Sequence, residues 1–246
     1  MLCLAPLGGC AESTQKSAAT ARTEAPSGPA KTPPYVAPAG VPQATSAQVP
    51  VDADDGVWGA PNAPVTIVVF TDLECPFCSE AHAILAALEQ EVGPERLRVV
   101  VKHIPLAQHA GAVPAARVAQ AIRTRHGAAK FFEFLDFAFA HQAQIAQGKA
   151  LELAEQLGLS RAELEPVATS NAIGAEVLRD VALADRLSVA ATPHLRVNGL
   201  GLTGVVSLPA LRRLVATELE AAQRLRSASV PADGLYQRRV AENFAR

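Results

Sequence analysis

The chain has 246 residues, 49% of them apolar and 19% charged, with a formal net charge of −2. That supports one ordinary domain with extensions, or two small ones, and a real core, and it argues against a polybasic surface for nucleic acid or an anionic membrane. Four cysteines, Cys3, Cys10, Cys75 and Cys78, are too few to staple a small scaffold, so the fold must stand on its core.

The first ten residues, MLCLAPLGGC, are apolar and set Leu7-Gly8-Gly9 before Cys10. Small residues before a cysteine are what bacterial lipoprotein processing requires, and the stretch resembles a lipobox with Cys10 as the lipidated residue. No Lys or Arg precedes Cys10, and nine residues make a short apolar core for a secretory signal. Two readings stay open: the remnant of a signal that starts upstream of Met1, or an apolar N-terminus without a role. Residues 11–55 are rich in Ala, Pro, Ser and Thr and nearly free of large apolar side chains. They cannot bury enough surface to offset the entropy of ordering, so a disordered tether is expected. No other run is long and apolar enough to span a bilayer as a helix.

Regular patterning begins near Val57. Pro and Asn turn signals lead into the β-branched run Val65 to Phe70, expected as a buried strand. From Ser79 to Val92 apolar residues fall at Ala81, Ile84, Leu85, Leu88 and Val92, one face of a helix. Gly93-Pro94 stops it and Leu97 to Lys102 reads as a second strand, parallel to the first because a helix crosses between them. Helical spacing then runs through Ala112–Arg125, Ala129–Gln142, Gly148–Leu157, Arg161–Ala168 and Ile173–Leu187, broken at Gly127, Gly158 and Thr169-Ser170-Asn171. Leu195 to Val197 reads as a strand, Asn198-Gly199 as a hairpin turn, and Leu202-Thr203 as the start of the return strand. Ser207 is expected as the N-cap of a helix reaching Arg226, with Pro209 in its first turn. An amphipathic segment, Leu235 to Phe244, closes the chain. The order is β-α-β, an all-helical insert over about residues 111–188, then β-β-α. The expected class is α/β, a thioredoxin-like mixed sheet flanked by helices, with the domain over residues 57–226 and a helical tail over 230–246.

Cys75-Pro76-Phe77-Cys78 follows the first strand and opens the first helix. Free N–H groups and the positive end of the dipole at a helix start favour a thiolate at Cys75. Cys78, one turn further on, is placed to attack a mixed disulfide formed there. Pro76 sits where its missing N–H is harmless. A zinc or iron–sulfur site needs about four ligands, and this pair supplies two. His82, His103, His109, His126, His141 and His194 are not paired at ligand spacing, so no metal is expected. His82 reads as a surface group, and His103 and His109 as structural or solvent-facing residues of a loop. Phe131, Phe132, Phe134, Phe137 and Phe139 read as packing the insert against the core.

The segment PNAPVTIVVFTDLECPFCSEAH resembles the active-site region of the DsbA-like thiol–disulfide oxidoreductases. The likeness continues through VVVKHIPLAQHAGAVPAARVAQA and SVAATPHLRVNGLGLTGVVSLPALRRLV, over roughly Trp58 to Leu219. It implies that Cys75 is the nucleophile and Cys78 the resolving thiol. It also implies that Pro193 is a cis-proline facing the pair, with the Thr192 backbone receiving an extended substrate chain. The redox disulfide itself replaces any cofactor or metal. The implied protein forms or exchanges disulfides in unfolded or cysteine-containing exported proteins, beside a membrane redox partner. Its implied location is the periplasm or cell envelope, and Cys10 would be its only membrane anchor. The same chemistry run in reverse, as a reductase or isomerase, is the enzymatic alternative. A tethered chaperone or metal-binding module is the other. Two departures stand out. Many relatives carry an acid six positions before the first cysteine, where this chain has Val69, leaving Asp72, Glu74 or water to serve. Phe77 also replaces the histidine of the strongly oxidising archetype, so a less oxidising pair is expected.

Overall fold

The computed structural model describes residues 48–245. Five strands form one sheet: β1 (Gly56–Trp58), β2 (Val65–Thr71), β3 (Leu97–His103), β4 (His194–Val197) and β5 (Leu200–Thr203). Their order across the sheet is β1-β3-β2-β4-β5. β2 and β3 are parallel, and the other neighbouring pairs are antiparallel. Helix α1 (Pro76–Val92) makes the crossover from β2 to β3. Between β3 and β4 lie α2 (Ala112–Ala140), α3 (Gln142–Ala146), α4 (Ala150–Gln156), α5 (Arg161–Ala168) and α6 (Asn171–Arg186). After β5 come α7 (Leu208–Ser227), a single 3₁₀ turn (Ala232–Gly234) and α8 (Leu235–Phe244). This is the thioredoxin-like mixed sheet with a helical insert that the element order implies.

β2 is central, and all seven of its residues are buried, because helices cover both faces of the sheet. Alternation divides those residues. Val65, Ile67 and Val69 join Val99 and Val101 in the main core with α1, α2 and α7, while Val68, Phe70 and Val100 join Leu183 and Leu187 on the other face. Gly127, at φ 81°, breaks the long insert helix where the sequence places a break. The β4–β5 turn uses Asn198 at φ 43° and Gly199 at φ 89°, the positive values that a two-residue hairpin demands. Ser207 occupies the N-cap position of α7, but its side chain makes no capping bond.

Three parts of the reading change. The tether expected over residues 11–55 ends sooner: Val49 is fully buried and hydrogen-bonded to Tyr236, and Asp55 meets the ammonium of Lys102 at 2.5 Å. Composition averaged over the stretch hides these anchoring side chains. The rest of it, with the lipobox at Cys10, lies outside the described residues. β1 is new, since three residues are too few to show a period. α1 begins at Pro76 rather than Ser79, because its first turn is built by the dithiol motif and not by the apolar face.

Candidate active site

The end of β2 and the start of α1 place the dithiol. Cys75 is the N-cap residue, in extended geometry (φ −74°, ψ 121°), and Pro76 follows in the first turn. The Cys75 thiol donates to the Thr192 carbonyl at 3.7 Å. The Thr192–Pro193 peptide is cis. Cys78 lies one turn in, its sulfur accepting from the Asp72 backbone N–H at 3.4 Å. Both cysteines are thiols in this structure, 4% and 1% exposed, while Phe77 between them in the chain is 62% exposed. Burial pushes the Cys78 thiol up to about 12, against the lowering influence of Thr71 and of the Asp72 backbone N–H. The structure thus gathers Cys75, Cys78 and Thr192 at one point.

The turn that carries the pair is fixed from three directions. The buried Asp72 carboxylate accepts from the backbone N–H of Glu74 and of Leu106, each at 2.8 Å, and pairs with His109 Nδ1 at 2.8 Å. Glu74 Oε2 accepts from the Gly111 N–H at 2.7 Å, tying the turn to the start of α2. Gln142, in α3, donates from Nε2 to the carbonyls of Leu73 (3.1 Å) and Cys75 (2.8 Å). The Asp72 and Glu74 carboxylates thus both hold the loop.

Gln142 escaped the sequence reading, since a lone polar residue in a helix gives no signal of what it reaches; His109, read as a structural or solvent-facing loop residue, is a structural one. His82 lies half-buried at the surface rather than free in solvent: its Nε2 meets the exposed Asp136 Oδ1 at 2.6 Å, and its ring packs on Phe139 with centroids 4.7 Å apart. His103 is not in a loop but is the last residue of β3, and it is buried. Of the five phenylalanines, Phe131, Phe134 and Phe139 are core residues and Phe132 and Phe137 are partly buried against the core. Among the described residues, the grouping able to offer three ligand atoms to a metal is Asp52, Asp54 and Asp55. Lys102 and Arg179 already pair with it, and it lies outside the dithiol site.

A sequence model of the family described as thioredoxin matches residues 52–217. The chain belongs to the thioredoxin family. The chain is 36% identical over 177 residues to the Na(+)/H(+) antiporter NhaA 3 of Salinispora tropica, covering 71% of this chain and 26% of that protein. The chain thus spans about a quarter of the length of the curated relatives it matches. A thioredoxin-like oxidoreductase from Silicibacter pomeroyi superposes with a TM-score of 0.61 at 25% identity, over 70% of this chain and 94% of that one. Alpha-DsbA1 of Wolbachia pipientis shares the fold, with a TM-score of 0.63 at 17% identity, over 71% of this chain and 94% of the other.

Proposed function

We propose that this thioredoxin-family domain is a protein thiol–disulfide oxidoreductase of the cell envelope, making or exchanging disulfides in cysteine-containing exported proteins. The observation that carries the reading is the unequal placement of the two thiols. Cys75 sits at the helix N-cap against the Thr192 carbonyl, where an extended substrate chain can pair with the loop backbone. Cys78 is sealed one turn deeper, its thiol pushed up to about 12 by burial. That order suits Cys75 to exchange with substrate and Cys78 to resolve the mixed disulfide. Exposed Phe77 beside Pro76 gives the incoming polypeptide an apolar surface at the reacting sulfur.

The chemistry needs no cofactor beyond the dithiol. A substrate thiolate attacks the Cys75 sulfur of the oxidised pair, Cys78 leaves, and a second substrate thiol releases the product disulfide; each step conserves thiols and electrons. A Cys78→Ser variant should accumulate mixed disulfides with cysteine-containing proteins on non-reducing gels, and Cys75→Ser should accumulate none. Equal trapping by the two variants, or none by either, would sink the assignment.

Direction is read from the reduction potential. A value near about −120 mV, where DsbA lies, marks an oxidant, and one near about −270 mV, where thioredoxin lies, marks a reductase fed by a membrane donor. With Phe77 in place of a histidine, the expected value lies below that of DsbA. The envelope location and a lipid on Cys10 belong to the same proposal, and mass spectrometry of the mature chain tests the lipid.

A further inference from the structure

β3 ends in a side chain whose polar atoms have no evident use. His103 is 1% exposed, and neither Nδ1 nor Nε2 has a hydrogen-bond partner among the described residues. Buried polar side chains are overwhelmingly hydrogen-bonded, so an imidazole bare at both nitrogens calls for a reason.

Its position supplies one. Alternation along β3 sends Val99, Val101 and His103 to the face that α1 and α2 cover, and His103 there meets the ring of Phe131 edge-on, centroids 5.9 Å apart. Across the parallel ladder His103 pairs with Thr71, as Val101 pairs with Val69. Paired strands lie about 4.8 Å apart, and paired side chains rise on the same face. Thr71 is also the side chain whose hydrogen-bonding influence most lowers the Cys78 thiol against its burial. Cys78, Thr71, His103 and Phe131 therefore form a row across one buried face of the sheet. One pair back along the ladder, Val69 and Val101 are apolar and offer no acceptor.

We propose that His103 takes up the proton of Cys78, by way of the Thr71 hydroxyl, when Cys78 attacks a mixed disulfide on Cys75. This rests on the exchange reading given above. In the step, the Cys78 sulfur forms the Cys75–Cys78 bond, the bond from Cys75 to the other sulfur breaks, and that sulfur leaves with the electron pair. The Cys78 proton passes to the Thr71 oxygen while the Thr71 proton passes to a bare ring nitrogen. The imidazolium then returns its proton through the same hydroxyl to the departing thiolate or to water. No outside oxidant or reductant enters. His103 acts through Thr71 and is a positioning residue for the proton, not a group that touches the reacting sulfur of the substrate.

Burial, with Lys102 adding to it, holds the imidazole down at about 4, so at neutral pH the ring is uncharged with a free lone pair, and as a weak base it holds the proton only in passing. The charged groups around it are also otherwise engaged. Lys102 of β3 pairs with Asp55 and Asp180 on the opposite face, and Asp180 of α6 reaches only the His103 backbone N–H, at 2.8 Å. From α1 come Cys75 and Cys78, and α2 presents the ring of Phe131. Hydrogen bonds of this kind commonly tighten only in the reacting complex.

The test uses the full chain, reduced, with oxidised glutathione as the probe, following mixed-disulfide formation at Cys75 and its resolution separately from pH 5 to 9. His103→Phe should slow resolution by about 100-fold and leave formation unchanged. Its resolution rate should also climb about tenfold per pH unit, because Cys78 must then ionise unaided, whereas the parent rate stays nearly flat. Thr71→Val, close in shape, should reproduce both effects, and Thr71→Ser should restore the parent profile; this pair carries the test if His103→Phe does not fold. Unchanged resolution in Thr71→Val, or equal slowing of both steps, overturns the proposal. Failure of the parent chain to form any mixed disulfide is a different result and overturns the exchange reading instead.

Discussion

Lys102 and His103 are consecutive on β3, and the sheet sends them to opposite faces with opposite outcomes. Lys102 is 2% exposed and fully answered: Asp55 at 2.5 Å, Asp180 at 3.5 Å and Asp52 at 3.9 Å surround its ammonium. His103 is equally buried, and among the described residues its ring nitrogens have no hydrogen-bond partner; the ring meets an aromatic edge. The same contrast recurs elsewhere. Arg239 and Glu218, each 1% exposed, meet at 2.8 Å and draw in Asn198 and Asn243 to fasten α8 onto α7 and the β4–β5 turn. In this domain a buried polar group with every bond made holds elements together. One left bare beside a thiol marks chemistry.

The comparison breaks most visibly at Lys102. Lys102→Met removes the charge and leaves Asp55 and Asp180 buried without it, which should cost about 3–5 kcal/mol in urea unfolding. The thiol reactivity of the protein that remains folded should not change. A loss under about 1 kcal/mol, the scale of an exposed pair, would mean that the cluster is solvated and does not hold the N-terminal strap in place.

His103 sharpens the contrast through pH. Its folded-state pKa of about 4 lies below the ordinary 6.5. Between those values the unfolded chain binds a proton that the folded chain refuses, so stability is full above pH 6.5 and is lost as pH falls toward 4. Over that window this residue accounts for about 3 kcal/mol at most, and His103→Phe should lack the loss. His194, also held at about 4 by burial and Arg196, is present in both proteins and drops out of the difference. Parallel stability curves for parent and variant between pH 7 and pH 4 would show that His103 is charged or solvated in the folded state.

Phe77 gives the smallest effect and the exposed control. Phe77→His should raise the reduction potential by about 30 mV for each tenfold stabilisation of the dithiol form. Being 62% exposed, the side chain should leave the urea midpoint where it was. An unchanged potential would show that redox poise is set by the buried row and not by the residue between the cysteines.

What the sequence disclosed and what it withheld follow from distance along the chain. β2, α1 and β3 were legible because their periods are local and strong, and Cys75 and Cys78 because a short motif at a strand–helix junction is itself local. Thr192, 117 residues away, was found only through resemblance to a family. Gln142, 67 residues beyond Cys75, was missed, since nothing in a helical glutamine says which carbonyls it will meet. His103 was placed in a loop because the strand was read as ending at Lys102, one residue short of where β3 ends. The empty acidic position at Val69 was legible as an absence. What might stand in for it was not, because Thr71 and His103 become neighbours only when β2 and β3 pair in register.

The backbone of Val49 holds both ends of one small knot, its N–H donating to the Tyr236 hydroxyl at 3.3 Å and its carbonyl accepting from the same hydroxyl at 3.0 Å. Val49 belongs to the core on the face of the sheet away from α1, and Arg98, from that same face, lies over the Tyr236 ring. The incoming and outgoing chain therefore meet at one spot, while the dithiol lies on the other side. Such a domain resembles a bead threaded through a single hole. Joined into a longer polypeptide, it adds little to the loop-closure entropy of its host, because its two ends are already brought together. It can hang from a tether or sit between other segments without turning its reactive thiol toward either.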